Sequence, residues 1–215
     1  MCCLASLASR GSGIVDTTKT PAGLELNVHL GYLLPHHPEI KSLLQKHPKA
    51  LGVSLVWPCP GDKVWHQAFR GPRLGIETFV ADLGNVEQLG WQISGSGFAE
   101  LPLATRRRLS QWLKLGVGMG YTTKQWDLYE NYKATVIGSK LSAALSLQYG
   151  IETRLSDAVH LKTGVRFTHF SNGSFALPNL GSNVASLFVG LNYGQLERRS
   201  LDRPPTFSAK NSFSV

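Results

Sequence analysis

The chain has 215 residues, of which 42% are hydrophobic and 17% charged; that is too apolar for a disordered chain and long enough for one sizeable domain or two small ones. No apolar run approaches the ~18 residues of a membrane-spanning helix, which excludes helical spans and leaves a membrane β-barrel open, since its strands alternate. The net charge of +8 comes from 22 basic and 14 acidic residues, but apart from Arg106-Arg107-Arg108 and the C-terminal tail the basic residues are dispersed, which argues against a nucleic-acid face and suits loop cations that meet anionic lipid head groups.

Residues 1–22 read as a leader or a disordered N-terminus: Met1 to Ser9 is small and apolar but lacks a basic start and a full apolar core. Period-two alternation, the pattern of strands with one apolar face, then begins. Leu24, Leu26, Val28, Leu30 and Tyr32 alternate with Glu25, Asn27, His29 and Gly31. Pro35-His36-His37-Pro38 breaks the chain, and Glu39 to Lys49 reads as one short surface helix in a loop. Leu51 to Trp57 makes a second strand, and Cys59 stands alone after it. Leu74, Ile76, Thr78 and Val80 mark a third strand, Trp91 to Leu103 a fourth, and Leu113 to Tyr121 a fifth. The longest alternation, Ile137 to Leu155, is a sixth. Val159 to Phe167 and Leu187 to Tyr193 complete eight. Ser110-Gln111, Ser156-Asp157 and Pro178-Asn179-Leu180-Gly181 are turn signals between them. The barrel is therefore expected over 23–194, with a basic, mobile tail over 195–215.

Eight amphipathic strands in succession suggest a closed up-and-down barrel, because closure removes unpaired edges. Two barrels share the pattern. A lipocalin-like one is apolar inside and carries an apolar ligand; an outer-membrane one is polar inside. The polar parity carries Gly116, Gly118 and Gly120, which suit a crowded lumen, and Glu25, Glu77, Glu152, Lys114, Lys140, Lys162, Arg154 and Arg166, which can neutralise one another there. His29 and His160 share that parity. The opposite face is Leu-, Val- and Ile-rich with Trp57, Trp91, Tyr121 and Tyr193 near segment ends, like a lipid-facing belt with aromatic girdles. Trp65, Trp112 and Trp126 read as interface anchors. The expected fold is thus all-β, an eight-stranded antiparallel transmembrane barrel with a polar lumen and a lipid-facing apolar exterior.

The stretch that can carry chemistry is Arg166 to Ser174. His169 and Ser171 are two residues apart, so on a strand they share a face, and they continue the apolar parity of Val165 and Phe167. A polar pair on a lipid-facing wall costs energy unless it has partners. Read as chemistry, Ser171 is a nucleophile and His169 its base, and the backbone N–H groups of Asn172 and Gly173 stabilise an oxyanion. Read as structure alone, a strand simply ends at the membrane interface with polar residues and a glycine turn. His36 and His37 read as solvated loop residues and Asp157 as a turn residue. No cysteine or histidine spacing suggests a metal.

Thr168-His169-Phe170-Ser171-Asn172-Gly173, followed by Leu177-Pro178-Asn179-Leu180-Gly181 and the closing Val189-Gly190-Leu191-Asn192-Tyr193, resembles the lipid A 3-O-deacylase family, outer-membrane enzymes often labelled acyloxyacyl hydrolases. The strongest likeness covers 165–193; a looser one, with Gly31-Tyr32 and Pro35-His36-His37, covers 24–194. The resemblance implies a Gram-negative outer-membrane serine esterase that hydrolyses an ester-linked acyl chain of lipid A, with Ser171 as nucleophile and His169 as base. It implies no cofactor. The implied partners are lipopolysaccharide and outer-membrane lipid, not nucleic acid, and a homodimer is left open. The family's acid on the last strand falls at Asn183, whose parity faces it toward His169. An amide oxygen can orient a histidine N–H but supplies no negative charge, and in a serine protease the Asp-to-Asn change costs about ten-thousand-fold. A weak or inactive barrel that binds lipopolysaccharide or plays a structural role is therefore the alternative.

Overall fold

A computed structural model describes residues 23–106 and 108–194. Each alternating segment forms a strand: β1 (Gly23–Leu33), β2 (Lys49–Pro58), β3 (Arg73–Asp82), β4 (Trp91–Arg106), β5 (Leu109–Thr122), β6 (Leu141–Arg154), β7 (Val159–Ser171) and β8 (Ser182–Gly194). Neighbours in sequence pair antiparallel, and β8 returns to pair with β1, so the sheet closes into a barrel with no free edge. The expected leader and tail lie outside the described residues.

The apolar parity faces outward. Leu24, Leu26, Val28 and Leu30 of β1 and Leu187, Val189 and Leu191 of β8 are exposed, as are Leu115, Val117 and Met119 of β5. Tyr32, Trp91 and Tyr121 ring one end of this surface, and Trp57 and Tyr193 lie at the other. The polar parity faces the lumen, where Glu25, Glu77, Glu100 and Glu152 are buried with Arg73, Lys114, Lys162 and Arg166. This polar interior replaces the apolar cavity of a soluble carrier barrel, and that reading is set aside.

The lumen charges interlock. Glu25 accepts from Lys114 Nζ at 2.7 Å and from Lys162 Nζ at 2.6 Å, and Lys162 also donates to Glu100 at 2.7 Å. Arg73 joins Glu100 to Glu152, which also meets His160 Nδ1 at 3.0 Å. Arg166 pairs with Glu77 at 2.8 Å. Aromatic faces complete the packing: Lys162 Nζ lies 4.0 Å from the Trp112 ring centre and Arg166 3.9 Å from that of Phe79. Glycines on this parity leave room for large neighbours, since a Cβ on Gly120 would lie 2.6 Å from the Phe170 ring.

Four local expectations change. Trp112 is not an interface anchor; its even parity turns it into the lumen, fully buried. Lys140 lies in the β5–β6 loop, and Arg154 pairs with Asp157 at an exposed turn, so neither neutralises the lumen. The helix expected over Glu39–Lys49 shrinks to α1 (Pro38–Lys41), because Lys49 is already paired with β1 and β3. β6 begins at Leu141, and Ile137 instead fills an apolar loop core. A second short helix, α2 (Val64–Ala68), occupies the β2–β3 connection.

The two barrel ends differ. The connections after β1, β3, β5 and β7 run over 34–48, 83–90, 123–140 and 172–181, whereas at the opposite end β6 and β7 are joined by only 155–158, and the one longer connection described there, 59–72, holds α2. Outer-membrane barrels keep short turns at the periplasmic end and long loops outside, so the first group marks the external end. There Ile40, Leu43, Leu83, Leu89, Val136 and Ile137 bury against Phe170 and Val184 of the barrel, an apolar plug above the ionic lumen.

Candidate active site

β7 ends and β8 begins at that external rim, and their register sets His169 directly opposite Asn183. Both side chains, with Ser171, lie on the outward parity and are half-buried. His169 Nδ1 and Asn183 Oδ1 are 2.6 Å apart. An amide oxygen only accepts, so His169 carries its proton on Nδ1 and leaves the Nε2 lone pair available as a base. Gly181, at φ +74°, makes the turn that brings Asn183 in; a Cβ there would lie 3.2 Å from His169 Cε1, so the bare glycine lets the turn press against the imidazole.

Ser171 is held by a different pair. Its Oγ accepts from Asn179 Nδ2 at 2.9 Å and from Gly173 N at 3.2 Å. Asn179 Oδ1 in turn accepts from Asn172 N at 3.2 Å, which turns the Asn179 amide so that its NH2 faces the hydroxyl. The Asn172 side chain is buried and ties the loop together, donating to Ser139 Oγ and Ala176 O and accepting from Ser174 N. Among the described residues no hydrogen bond joins His169 to Ser171 directly. The structure therefore brings the five residues singled out in the sequence to one rim as two linked groups, His169 with Asn183 and Ser171 with the 172–173 turn.

Two further residues join them that the sequence reading did not select. Asn179 belongs to the turn signal Pro178-Asn179-Leu180-Gly181, where an Asn is sufficiently explained as a turn former. His36, read as solvated, is exposed but bonded: its ring nitrogens lie 3.1 Å from Asn183 Nδ2 and 2.8 Å from Leu180 O. The backbone brings it there, since Leu34 N donates to Asn183 O at 2.8 Å.

Beside His169 the lipid-facing wall is grooved. A shallow depression of about 420 Å³ crosses β5, β6 and β7, lined by Leu115, Val117, Leu145, Leu147, Phe167 and His169. The site thus combines a histidine base, a hydroxyl held by two N–H donors and an apolar trough opening to the bilayer. Such a set suits acyl transfer from an ester whose chain already lies in lipid.

A family model described as lipid A 3-O-deacylase (PagL) matches residues 49–192. The crystal structure of the outer membrane enzyme PagL is similar at a TM-score of 0.52 and 14% identity, over 77% of this chain and 97% of that one. The crystal structure of Neisserial surface protein A (NspA) is similar at a TM-score of 0.55 and 11% identity, over 80% of this chain and 96% of that one. At such identities the two structures share a fold with this chain and carry no statement about its chemistry. No curated protein matches the chain significantly.

Proposed function

We infer the activity from the premise that this chain belongs to the lipid A 3-O-deacylase (PagL) family, as an eight-stranded barrel of the Gram-negative outer membrane. The reading is that it hydrolyses the ester-linked acyl chain at the 3-O position of lipid A, with Ser171 as nucleophile. The observation that carries it is the outward His169–Asn183 pair, 2.6 Å apart, with His169 lining an apolar groove and a serine hydroxyl held by two N–H donors two residues further along the strand.

The acyl chain lies in the groove, which places its carbonyl at Ser171. Ser171 Oγ attacks the carbonyl carbon as its proton passes to His169 Nε2, and the carbonyl electron pair moves onto oxygen. Asn179 Nδ2 and the Gly173 N–H, which hold Ser171 Oγ in the free protein, pass to that oxyanion as it forms, while the Asn172 N–H acts at one remove by orienting Asn179. Collapse breaks the bond to the sugar oxygen, which takes the proton from His169. Water then attacks the acyl-serine with His169 again as base, releasing the fatty acid and restoring Ser171. Apo-form hydrogen bonds at catalytic sites are often open and tighten around substrate, so the gap between His169 and Ser171 is compatible with this sequence. Asn183 Oδ1 keeps the Nδ1 proton in place but adds no charge to oppose the imidazolium.

The test is mass spectrometry of lipid A incubated with the purified, folded barrel. The parent should release one acyl chain, and Ser171→Ala should release none while retaining the folded barrel's electrophoretic mobility. Equal release by the mutant would overturn the nucleophile assignment. The uncharged Asn183 favours a second reading, a lipopolysaccharide-binding barrel without turnover; it gains if neither the parent nor Asn183→Glu releases fatty acid.

A further inference from the structure

We propose that His36 is a positioning residue that sets the direction of the hydrogen-bond chain behind His169, doing by polarity part of what a carboxylate would do by charge; the proposal rests on the esterase reading above only for its kinetic consequences. The argument starts from a group that cannot change its role. Leu180 O is a carbonyl and can only accept, and His36 Nε2 lies 2.8 Å from it. His36 Nε2 therefore carries a proton. Nδ1 lies 3.1 Å from both Leu34 O and Asn183 Nδ2; the single proton of the neutral ring goes to the shorter carbonyl contact, at Nε2, so Nδ1 keeps its lone pair and Asn183 Nδ2 is its donor. This fixes which way round the Asn183 amide stands, so Oδ1 faces His169 Nδ1 at 2.6 Å. The chain runs in one direction, from His169 Nδ1–H to Asn183 Oδ1 and from Asn183 Nδ2–H to His36 Nδ1, and it ends with His36 Nε2–H on a backbone oxygen. His169 is left with its basic lone pair on Nε2, the tautomer required on the side of Ser171.

An asparagine needs this help where a carboxylate does not. A carboxylate presents oxygen whichever way it turns. An amide turned over would present NH2 to His169 Nδ1, force the imidazole proton onto Nε2 and remove the base. The neutral His36 permits only the productive orientation. The protonated His36 permits the other, because Leu34 O lies 3.1 Å from Nδ1 and would accept its new proton, releasing the amide. The titratable groups around the ring are His37, whose ring centre is 4.9 Å away, and His169 across Asn183; among the described residues no carboxylate forms an ion pair with it.

The experiment compares His36→Ala and His36→Gln in the full-length folded barrel, each in the parent and in an Asn183→Asp background. Losing one net hydrogen bond of ordinary strength corresponds to about a 5- to 10-fold fall in kcat/KM on lipid A micelles, expected for His36→Ala with Asn183 present. Gln can accept from Asn183 and donate to Leu180 O, so it should restore most of the activity. In the Asn183→Asp background His36→Ala should cost less than about 2-fold, because the amide direction no longer exists to be lost. An equal loss in both backgrounds would show that His36 only supports the loop and would overturn the proposal. The tautomer of His169, read by nitrogen-15 NMR, gives a readout independent of turnover. Nδ1 should be protonated in the parent and the two tautomers mixed in His36→Ala. A parent with this tautomer response but no acyl release refutes the esterase reading and keeps the positioning role. An active parent whose His169 tautomer ignores His36 does the reverse.

Discussion

Glu25 is the residue on which the lumen balance turns, and Glu25→Gln tests it. Four carboxylates face four Lys and Arg side chains in the buried interior. Glu25 alone accepts from Lys114 at 2.7 Å, Lys162 at 2.6 Å and Asn27 Nδ2 at 2.7 Å. Gln is nearly isosteric, so packing changes little, but the lumen gains one uncompensated positive charge and an NH2 group must face one of the ammonium groups or Asn27. Breaking a buried ion pair by removing one partner costs about 3–5 kcal/mol, and that is the predicted loss. Lys114→Met added to Glu25→Gln restores the balance and should recover most of it, since the two sites are in contact and their effects do not add. The assay is urea unfolding in lipid micelles followed by tryptophan fluorescence, to which Trp112, stacked over Lys162, contributes directly. A Glu25→Gln barrel within about 1 kcal/mol of the parent, or a double mutant as unstable as the single, would refute the view of the lumen as a dry, interlocked ion network.

Three further outcomes are expected. Asn179→Ala removes the 2.9 Å donor to Ser171 and should lower kcat by about 10²–10³-fold, as loss of one oxyanion donor does elsewhere, with the unfolding midpoint little changed; a KM effect without a kcat effect would reassign Asn179 to binding. Asn183→Asp places a charge beside the imidazolium, and at an effective dielectric near 20 a pair ~4 Å apart gains about 4 kcal/mol, so a rise in kcat of up to about 10³-fold is expected, with no rise arguing against a transition-state imidazolium at His169. In the exposed β5–β6 loop, the backbone N–H groups of Glu130 and Tyr129 hold the Asp127 carboxyl below its ordinary value. Its lowered folded value means the contribution is present above the unfolded carboxylate range and is lost as pH falls through the folded value, so the Tyr129 and Glu130 amide resonances should titrate with a midpoint below 3.8; a higher midpoint contradicts the turn.

The barrel was legible because each strand writes its two faces in alternate residues, and closure follows from there being no other way to pair eight such strands without edges. What parity could not say is how far alternation continues once pairing stops. Ile137 keeps the pattern of β6 but sits in loop packing, and residue type marks Trp112 as an interface anchor although its even position points inward. At the site, His169, Ser171 and Asn183 could be put on one face by counting. Their second layer could not. His36 reaches Asn183 across 147 positions of chain and Asn179 turns toward Ser171 through a backbone bond inside a loop, and neither contact leaves a periodic trace. A histidine beside prolines reads as loop until the closing pair β1–β8 brings it to the rim.

The filled interior has an electrical consequence. Trp112, Lys114, Lys162 and Gln148 are wholly enclosed across the lower bore, and the loop residues Ile40 and Leu43 cap it from above. Among the described residues this packing fills the bore with side chains, and the expectation is that the barrel conducts no ions, so single-channel recordings across a planar bilayer should stay at baseline. The bore gives rigidity to the staves, and whatever commerce the molecule has with its surroundings is conducted on its outer skin.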